Sequence, residues 1–344
     1  MKTIVLDRDT LEFEIKPHAA LDEYLEQTAQ DVQAHLVRGK ALIACPCPGC
    51  GAERSREAFE KFGLTYRECE ACHSLYVSPR PSEAALTAFY RNAPSSRFWR
   101  ERVLKETAEA RREKIFRPRA RWLLDAVDQY RPQAQLAIVV GYHNDLLVKA
   151  LSQRGAAFRF VVTNPIADVE YAGVDLPELF VSPTPLAMLA DLGPADLILA
   201  FDILDRHADL NGFFEVAKAT LAPGGLLLAS TTLSSGFDLQ VLWDRSRNIY
   251  PPERLNLLSV EGLTALYERH GFDALEFSTP GIFDIEIVQR AVQGEPQGGW
   301  SRFIRYLVEH RGEDALDAFQ QFLQHYRLSS FARVVLRKSG ETSC

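Results

Sequence analysis

The chain has 344 residues, 47% of them apolar and 25% charged, with a formal net charge of −7. That composition excludes a disordered, collagen-like or coiled-coil chain and leaves room for about two domains. No apolar run approaches the ~18 residues of a membrane span, and the negative charge argues against wholesale binding to nucleic acid or an anionic membrane.

Residues 1–40 carry 5 Lys+Arg against 8 Asp+Glu. Acidic side chains at Asp7, Asp9, Glu12 and Glu14 interrupt what a signal peptide would keep apolar, so a cytoplasmic location is expected. Thr3–Leu6 and Leu11–Ile15, joined by Asp7-Arg8-Asp9, predict a β-hairpin. Leu21 to Leu36 predicts an amphipathic helix. Ser82, after Ser78-Pro79-Arg80-Pro81, is placed to cap a helix that buries Leu86, Phe89 and Tyr90. Residues 97–121 hold 10 Lys+Arg and 4 Asp+Glu. They are either a docking face for an acidic or phosphate-bearing partner, or a charged helix whose Glu101, Glu106, Glu109 and Glu113 pair locally. Pro118 opens a further helix with Trp122, Leu123, Val127 and Tyr130 inward.

From about residue 135 short apolar strands alternate with helices. Leu136–Val140, Phe158–Val162, Asp196–Phe201, Leu226–Ser230 and Ala274–Phe277 are strands. Helices are expected over Asp145–Arg154, Asn211–Leu221 and Ser259–His270, with Gly155 and Gly271 as stops. Residues 284–328 are mostly helical, and Phe331–Leu336 is a last strand. Continuous apolar strands separated by helices define a doubly wound α/β fold.

Five of the six cysteines fall between positions 45 and 72. Cys47-Pro-Gly-Cys50 and Cys69-Glu-Ala-Cys72 form two C-x2-C hairpins eighteen residues apart. This is the spacing of a four-sulfur shell for structural Zn2+, with no open ligand position. Cys45 and His73 read as bystanders and Cys344 as a free thiol. Residues 40–80 are near neutral, so the ribbon lacks the basic stripe of an RNA-gripping module.

Several signatures then line up: Val139-Val140-Gly141, Asp196–Asp205, Leu221-Ala-Pro223-Gly224-Gly225-Leu-Leu-Leu and Leu266–Phe272. Over about residues 120–340 this resembles the class I S-adenosylmethionine-dependent methyltransferases. Tyr66–Ser82 is similar to the ribbon exit of a subgroup carrying a zinc ribbon in front of that domain. The resemblance implies an N-terminal unit at 1–40, a zinc ribbon at 41–81 and a helical linker at 82–130. A Rossmann-like methyltransferase domain at 131–340 follows, with its helical insertion at 284–328. It also implies methyl transfer to a small-molecule acceptor, such as a sugar or phosphorylated metabolite.

The resemblance places the donor against Gly141, Tyr142, His143, Asn164 and Phe201. Gly141-Tyr142-His143-Asn144-Asp145 stands where the family has Gly-x-Gly-x-Gly, and Asn164 where it has a ribose-binding acid. Asp202 and His207 are the candidate catalytic residues, His207 as general base. Arg245, Arg247, Tyr250 and Arg254 fall in a segment suited to an anionic acceptor. The departures from the glycine motif motivate an alternative, a non-catalytic methyltransferase fold acting as a binding or partner subunit. The basic stretch motivates a second, an RNA methyltransferase.

Overall fold

The computed structural model describes all residues except 1–3, 8–9, 142–144, 157, 164–178, 183–193 and 340–344. The hairpin expected at the start is not there among the described residues. Glu12–Ile15 is a helical turn (α1), followed by α2 over His18–Val32, which continues into a π-helical turn at Gln33–Val37. The backbone at Leu6 pairs with a side chain instead of a strand. Gln324 accepts from the Leu6 N–H at 2.6 Å and donates to its carbonyl at 3.0 Å, which satisfies the groups a hairpin would have used.

The cysteine region is a small antiparallel sheet of β1 (Ser55–Lys61), β2 (Leu64–Cys69) and β3 (Leu75–Val77). Ser82 caps α3 (Glu83–Asn92) through the Ala85 N–H, and Leu86, Phe89 and Tyr90 are buried. The basic stretch follows as short helices α4 (Pro94–Phe98), α5 (Leu104–Glu106) and α6 (Ala108–Arg111), with π-helical turns after α4 and after α6. It ends in α7 (Arg117–Tyr130), with Pro118 in the first turn. Its cations meet local acids. Arg102 pairs with Glu23 and Glu106, Arg112 with Glu109 and Glu113, and Arg117 with Glu113.

The second unit is a seven-stranded sheet. Its strands are β4 (Leu136–Val140), β5 (Arg159–Thr163), β6 (Leu179–Ser182), β7 (Ala195–Phe201), β8 (Leu221–Thr232), β10 (Phe272–Ser278) and β11 (Phe331–Lys338). Their order is β10-β11-β8-β7-β4-β5-β6. β4 to β8 run parallel, and β11 is antiparallel to both β8 and β10. Every residue of β4 is buried, as a strand covered on both faces requires. The chain winds from β4 outward to β6, then returns to lay β7 on the other side of β4. That reversal makes β4/β7 the switch point, where open sheets bind ligands at the carboxyl edge. The covering helices include α8 (Asp145–Ser152) and α9 (Leu210–Thr220), while α10 (Phe237–Leu242) packs through Leu239 against the core of the ribbon.

The two units are interlocked. Residues Asn256–Leu257, inside the second unit's sequence, form β9 and pair antiparallel with β3, completing the ribbon sheet. The next helix, α11 (Val260–Arg269), starts against the cysteines. Its cap Ser259 accepts from the Gly262 N–H at 2.8 Å and donates to the Cys72 carbonyl. Ser74 Oγ accepts from the Ser259 N–H at 3.0 Å. At the far end of α11, Arg269 donates to the Pro48 carbonyl at 3.0 Å. A Cβ at Gly262 would lie 2.0 Å from Ser74 Oγ and 3.2 Å from Cys72 Sγ. Gly262→Ala is therefore expected to cost about 1–3 kcal/mol through overpacking. The urea midpoint reads this, and an unchanged midpoint would mean the ribbon and α11 tolerate separation. Beyond β10, α12 (Asp284–Gly294), α13 (Arg302–His310) and α14 (Glu313–His325) form the helical insertion before β11.

Candidate functional site

Gly141 follows β4 at the switch point with φ +125°, a conformation that favours glycine, and its N–H donates to the Thr163 carbonyl at 3.3 Å. The register pairs Val139 with Leu199, so two residues on Gly141 stands level with Phe201. Asp202 comes next, at φ +57°, a backbone strain that side chains other than Asn and Asp tolerate poorly. Two neighbours, Ser230 and Arg119, hold its conformation. Its N–H donates to the Ser230 carbonyl at 3.1 Å, Ser230 Oγ donates to Asp202 Oδ1 at 2.9 Å, and Arg119 Nη2 donates to Oδ2 at 3.1 Å. Burial pushes the Asp202 carboxyl up, but the charges of Arg119 and Arg206, with the Ser230 bond and Arg254, hold it below the usual carboxylate value. Yet 43% of its side-chain surface is open. Its carboxylate is thus held by the protein and still accessible at the edge where open sheets bind ligands.

Helices from before β4 pack beside this edge of the sheet. Arg119 of α7 lies 4.8 Å from the Phe201 ring centroid, and Trp122 meets Phe201 edge-on at 6.0 Å. Arg111 Nη2 donates to the Ile15 carbonyl at 3.1 Å, and Lys16 Nζ to Asn248 Oδ1 at 3.1 Å. Tyr24 packs on Trp99 (4.7 Å) and against Tyr250 (6.0 Å). Arg254 lies 3.3 Å from Asp205, and Arg206 lies 2.7 Å from Glu253. The ribbon reaches these loops as well. Arg80 Nη1 donates to Asn256 Oδ1 at 2.8 Å and to the Ala208 carbonyl at 3.2 Å. Asn256 Nδ2 in turn donates to the carbonyls of Leu204 and His207, both at 2.8 Å.

His207 sits apart from Asp202, at the start of α9. Its Nδ1 accepts from the Asp209 N–H at 3.1 Å and lies 3.9 Å from Glu83, and its ring packs on Phe213 at 5.6 Å. A neutral imidazole accepting at Nδ1 carries its proton on Nε2. A base role would require it to release the Asp209 amide. Tyr142, His143 and Asn164 lie outside the described residues. Tyr250 is buried against Tyr24, and Arg254 lies beside Asp205. Arg245 and Arg247 turn outward, the first onto the Trp300 ring at 4.0 Å and the second to Asp22. Sequence reading passed over Lys16, Arg111, Arg119 and Ser230. The available signal for two of them was the excess of arginine just before β4.

At the front end, Sγ atoms of Cys47, Cys50, Cys69 and Cys72 all lie within 4.8 Å of one another. The closest pairs are Cys47–Cys72 at 3.5 Å and Cys50–Cys69 at 3.6 Å. A tetrahedron of sulfurs at the ~2.3 Å Zn–S distance has edges of about 3.8 Å, so the four are already arranged to hold Zn2+. The Cys47–Cys72 contact pushes the Cys47 thiol up, helped by burial, and pulls Cys72 down to about 4. Cys45 Sγ faces the Val77 carbonyl at 3.9 Å instead, and exposed His73 faces Glu68 at 3.2 Å.

Fold and site together define the class: a doubly wound α/β sheet with a four-cysteine N-terminal module. No family model and no curated protein matches the chain. The chain is similar, at low identity, to solved structures that include methyltransferases. The 1,6-didemethyltoxoflavin-N1-methyltransferase of Burkholderia thailandensis, solved with 1,6-didemethyltoxoflavin and S-adenosylhomocysteine, is 12% identical over 83% of this chain and 99% of its own, at a TM-score of 0.46. The plantazolicin methyltransferase BpumL, solved with SAH, is 12% identical over 74% and 94%, at 0.45. The pyocyanin biosynthetic protein PhzM is 11% identical over 74% and 62%, at 0.43. At such scores these likenesses decide nothing about the chemistry of this site. No helix among the described residues is long and apolar enough to cross a membrane.

Proposed function

We propose that the chain transfers a methyl group from S-adenosylmethionine to a small-molecule acceptor held under the N-terminal helices, and that the four cysteines carry a structural Zn2+. The observation that carries the first part is Asp202. It is an ionised, strained, accessible carboxylate at the switch point, one residue past the level of a glycine at positive φ. The donor is a sulfonium with an ammonium group, and a carboxylate held charged in a low-dielectric crevice is suited to such a cation. Gly141, Tyr142, His143, Asn164 and Phe201 form the donor side in this reading.

When bound, the donor supplies an electrophilic methyl carbon. The sulfur takes the electron pair of the broken bond, and any proton on the attacking atom leaves to a base or water. The chain's share is to align, to exclude water and to fix charge. Asp202 is too acidic to be an efficient base near neutral pH and serves as a charge partner instead. His207 remains the candidate base if its Nδ1 is freed.

Calorimetry with S-adenosylmethionine and S-adenosylhomocysteine tests this. Saturable binding in the micromolar range is expected, weakened at least tenfold in Asp202→Ala, about 1.4 kcal/mol. One observation favours the second reading, a non-catalytic partner fold. The Arg119 guanidinium already neutralises Asp202. No heat and no thermal shift with either nucleoside would decide for that reading.

A further inference from the structure

Three cations come from separated parts of the chain: Lys16 just after α1, Arg111 at the end of α6, and Arg254 just before β9. Arg111 donates to the carbonyl of Ile15, the residue before Lys16. Burial lowers the Lys16 ammonium, Glu12 raises it, and Arg254 and Arg111 both depress it. Most cations nearby have their own acid: Arg119 has Asp202, Arg206 has Glu253 and Arg254 has Asp205. Lys16 and Arg111 differ. The Glu12 carboxylate, 3.9 Å from Lys16, is taken by Arg290, and Arg111 has no carboxylate within ion-pair distance among the described residues. Arg111 gives Nε to Thr107 Oγ1 and Nη2 to the Ile15 carbonyl, which leaves Nη1 without a protein acceptor among the described residues. Lys16 uses one N–H on Asn248 and keeps a quarter of its side chain accessible. Arg254 Nε is buried and finds no acceptor among the described residues. Burial pushes Arg111 down to about 10.

A buried surplus of positive charge with unused donors is costly unless something anionic occupies the space between. Aromatic walls stand beside it. The Arg111 guanidinium lies 5.5 Å from the Trp99 ring centroid, and Trp99 continues through Tyr24 to Tyr250. Charged forks beside flat apolar walls suit a ligand with an oxyanion at one end and an organic body at the other.

We propose that Lys16, Arg111 and Arg254 form an oxyanion subsite that binds a phosphate or carboxylate of the acceptor. The proposal rests on the methyl-transfer reading for the word acceptor, but the subsite itself does not need the donor. Two surplus charges match a dianion, such as a phosphate monoester or a dicarboxylate. The segment Arg245–Arg254 thus contributes through Arg254, while the basic residues nearer its start face solvent.

The test is titration calorimetry with inorganic phosphate, pyrophosphate and succinate at fixed ionic strength, without donor. Saturable binding of at least one is expected, and which probe binds tells phosphate from carboxylate. Lys16→Gln and Arg111→Met should each weaken it at least fivefold, while exposed Arg245→Gln leaves it unchanged. Should a variant fail to fold, hydrogen exchange on the wild-type protein gives the answer. The bound anion should protect residues 12–16 and 107–111. No saturable binding of any probe, or equal binding in the folded variants, overturns the proposal. Anion binding without donor binding would remove the methyl-transfer reading and leave the subsite standing. Donor binding without anion binding would do the reverse.

Discussion

Stripping the metal from the four cysteines is expected to destabilise the protein by several kcal/mol and to loosen far more than residues 41–81. Zinc held by four thiolates contributes folding free energy directly, about 10 kcal/mol or more in isolated fingers. Here that energy is not confined to the ribbon. Cys72 holds the cap of α11 through Ser259, and β9 completes the ribbon sheet. Arg80 and Asn256 tie the ribbon's exit to the carbonyls of Leu204, His207 and Ala208, in the loop that carries Asp202 and Asp205. Loss of the ion leaves mutually repelling thiolates, or thiols that no longer bridge the two hairpins.

The purified chain should therefore contain one zinc per molecule. A strong chelator or Cys72→Ser should lower the thermal midpoint markedly. Hydrogen exchange should rise at 256–269 and at 202–208 as well as in the ribbon, and donor affinity should fall with it. Metal-free protein with an unchanged midpoint would remove the structural role of the four sulfurs.

Much of this was legible in the sequence because it depends on local pattern. β4 is readable since five apolar residues in a row have no other use near Gly141. The cysteine spacing is readable because tetrahedral geometry dictates it. Ser82 and Ser259 act as helix caps at the positions their spacing predicts. What stayed hidden depends on long-range pairing. The first fifteen residues alternate like strands, yet Gln324, more than three hundred positions away, takes the backbone of Leu6 and Glu12 starts a helical turn. β9 is two residues long, and its partner β3 lies about 180 positions earlier, so no local signal marks it. The basic stretch reads as uniform along the sequence. In space Arg102, Arg112 and Arg117 pair at the surface, while Arg111 and Arg119 turn inward to the site.

Asp205→Asn is expected to cost about 3–5 kcal/mol, the other large single effect in this molecule. Asp205 is 1% exposed and sits one turn past the strained Asp202. Its carboxylate accepts from the Thr231 hydroxyl, from the Thr232 N–H at 2.9 Å and from the Thr232 hydroxyl at 3.1 Å, and it faces Arg254 at 3.3 Å. Burial raises the Asp205 pKa, and Arg254 and the threonines offset only part of that. The native charge is thus costly to bury, and the pair adds little net stability over an uncharged replacement. Breaking it is a different matter. An asparagine can keep one acceptor on Thr232, but its amide N–H groups then point at a guanidinium, and Arg254 keeps an uncompensated charge in the interior.

The sign of the double mutant separates these two effects. Asp205→Asn with Arg254→Met should recover most of the loss, because no lone charge remains. Urea midpoints for the two single variants and the double one measure it. A loss under about 1 kcal/mol in Asp205→Asn, or a double variant as damaged as the sum of the singles, would mean that Arg254 finds solvent or another acid on its own. The site would then not depend on this pair.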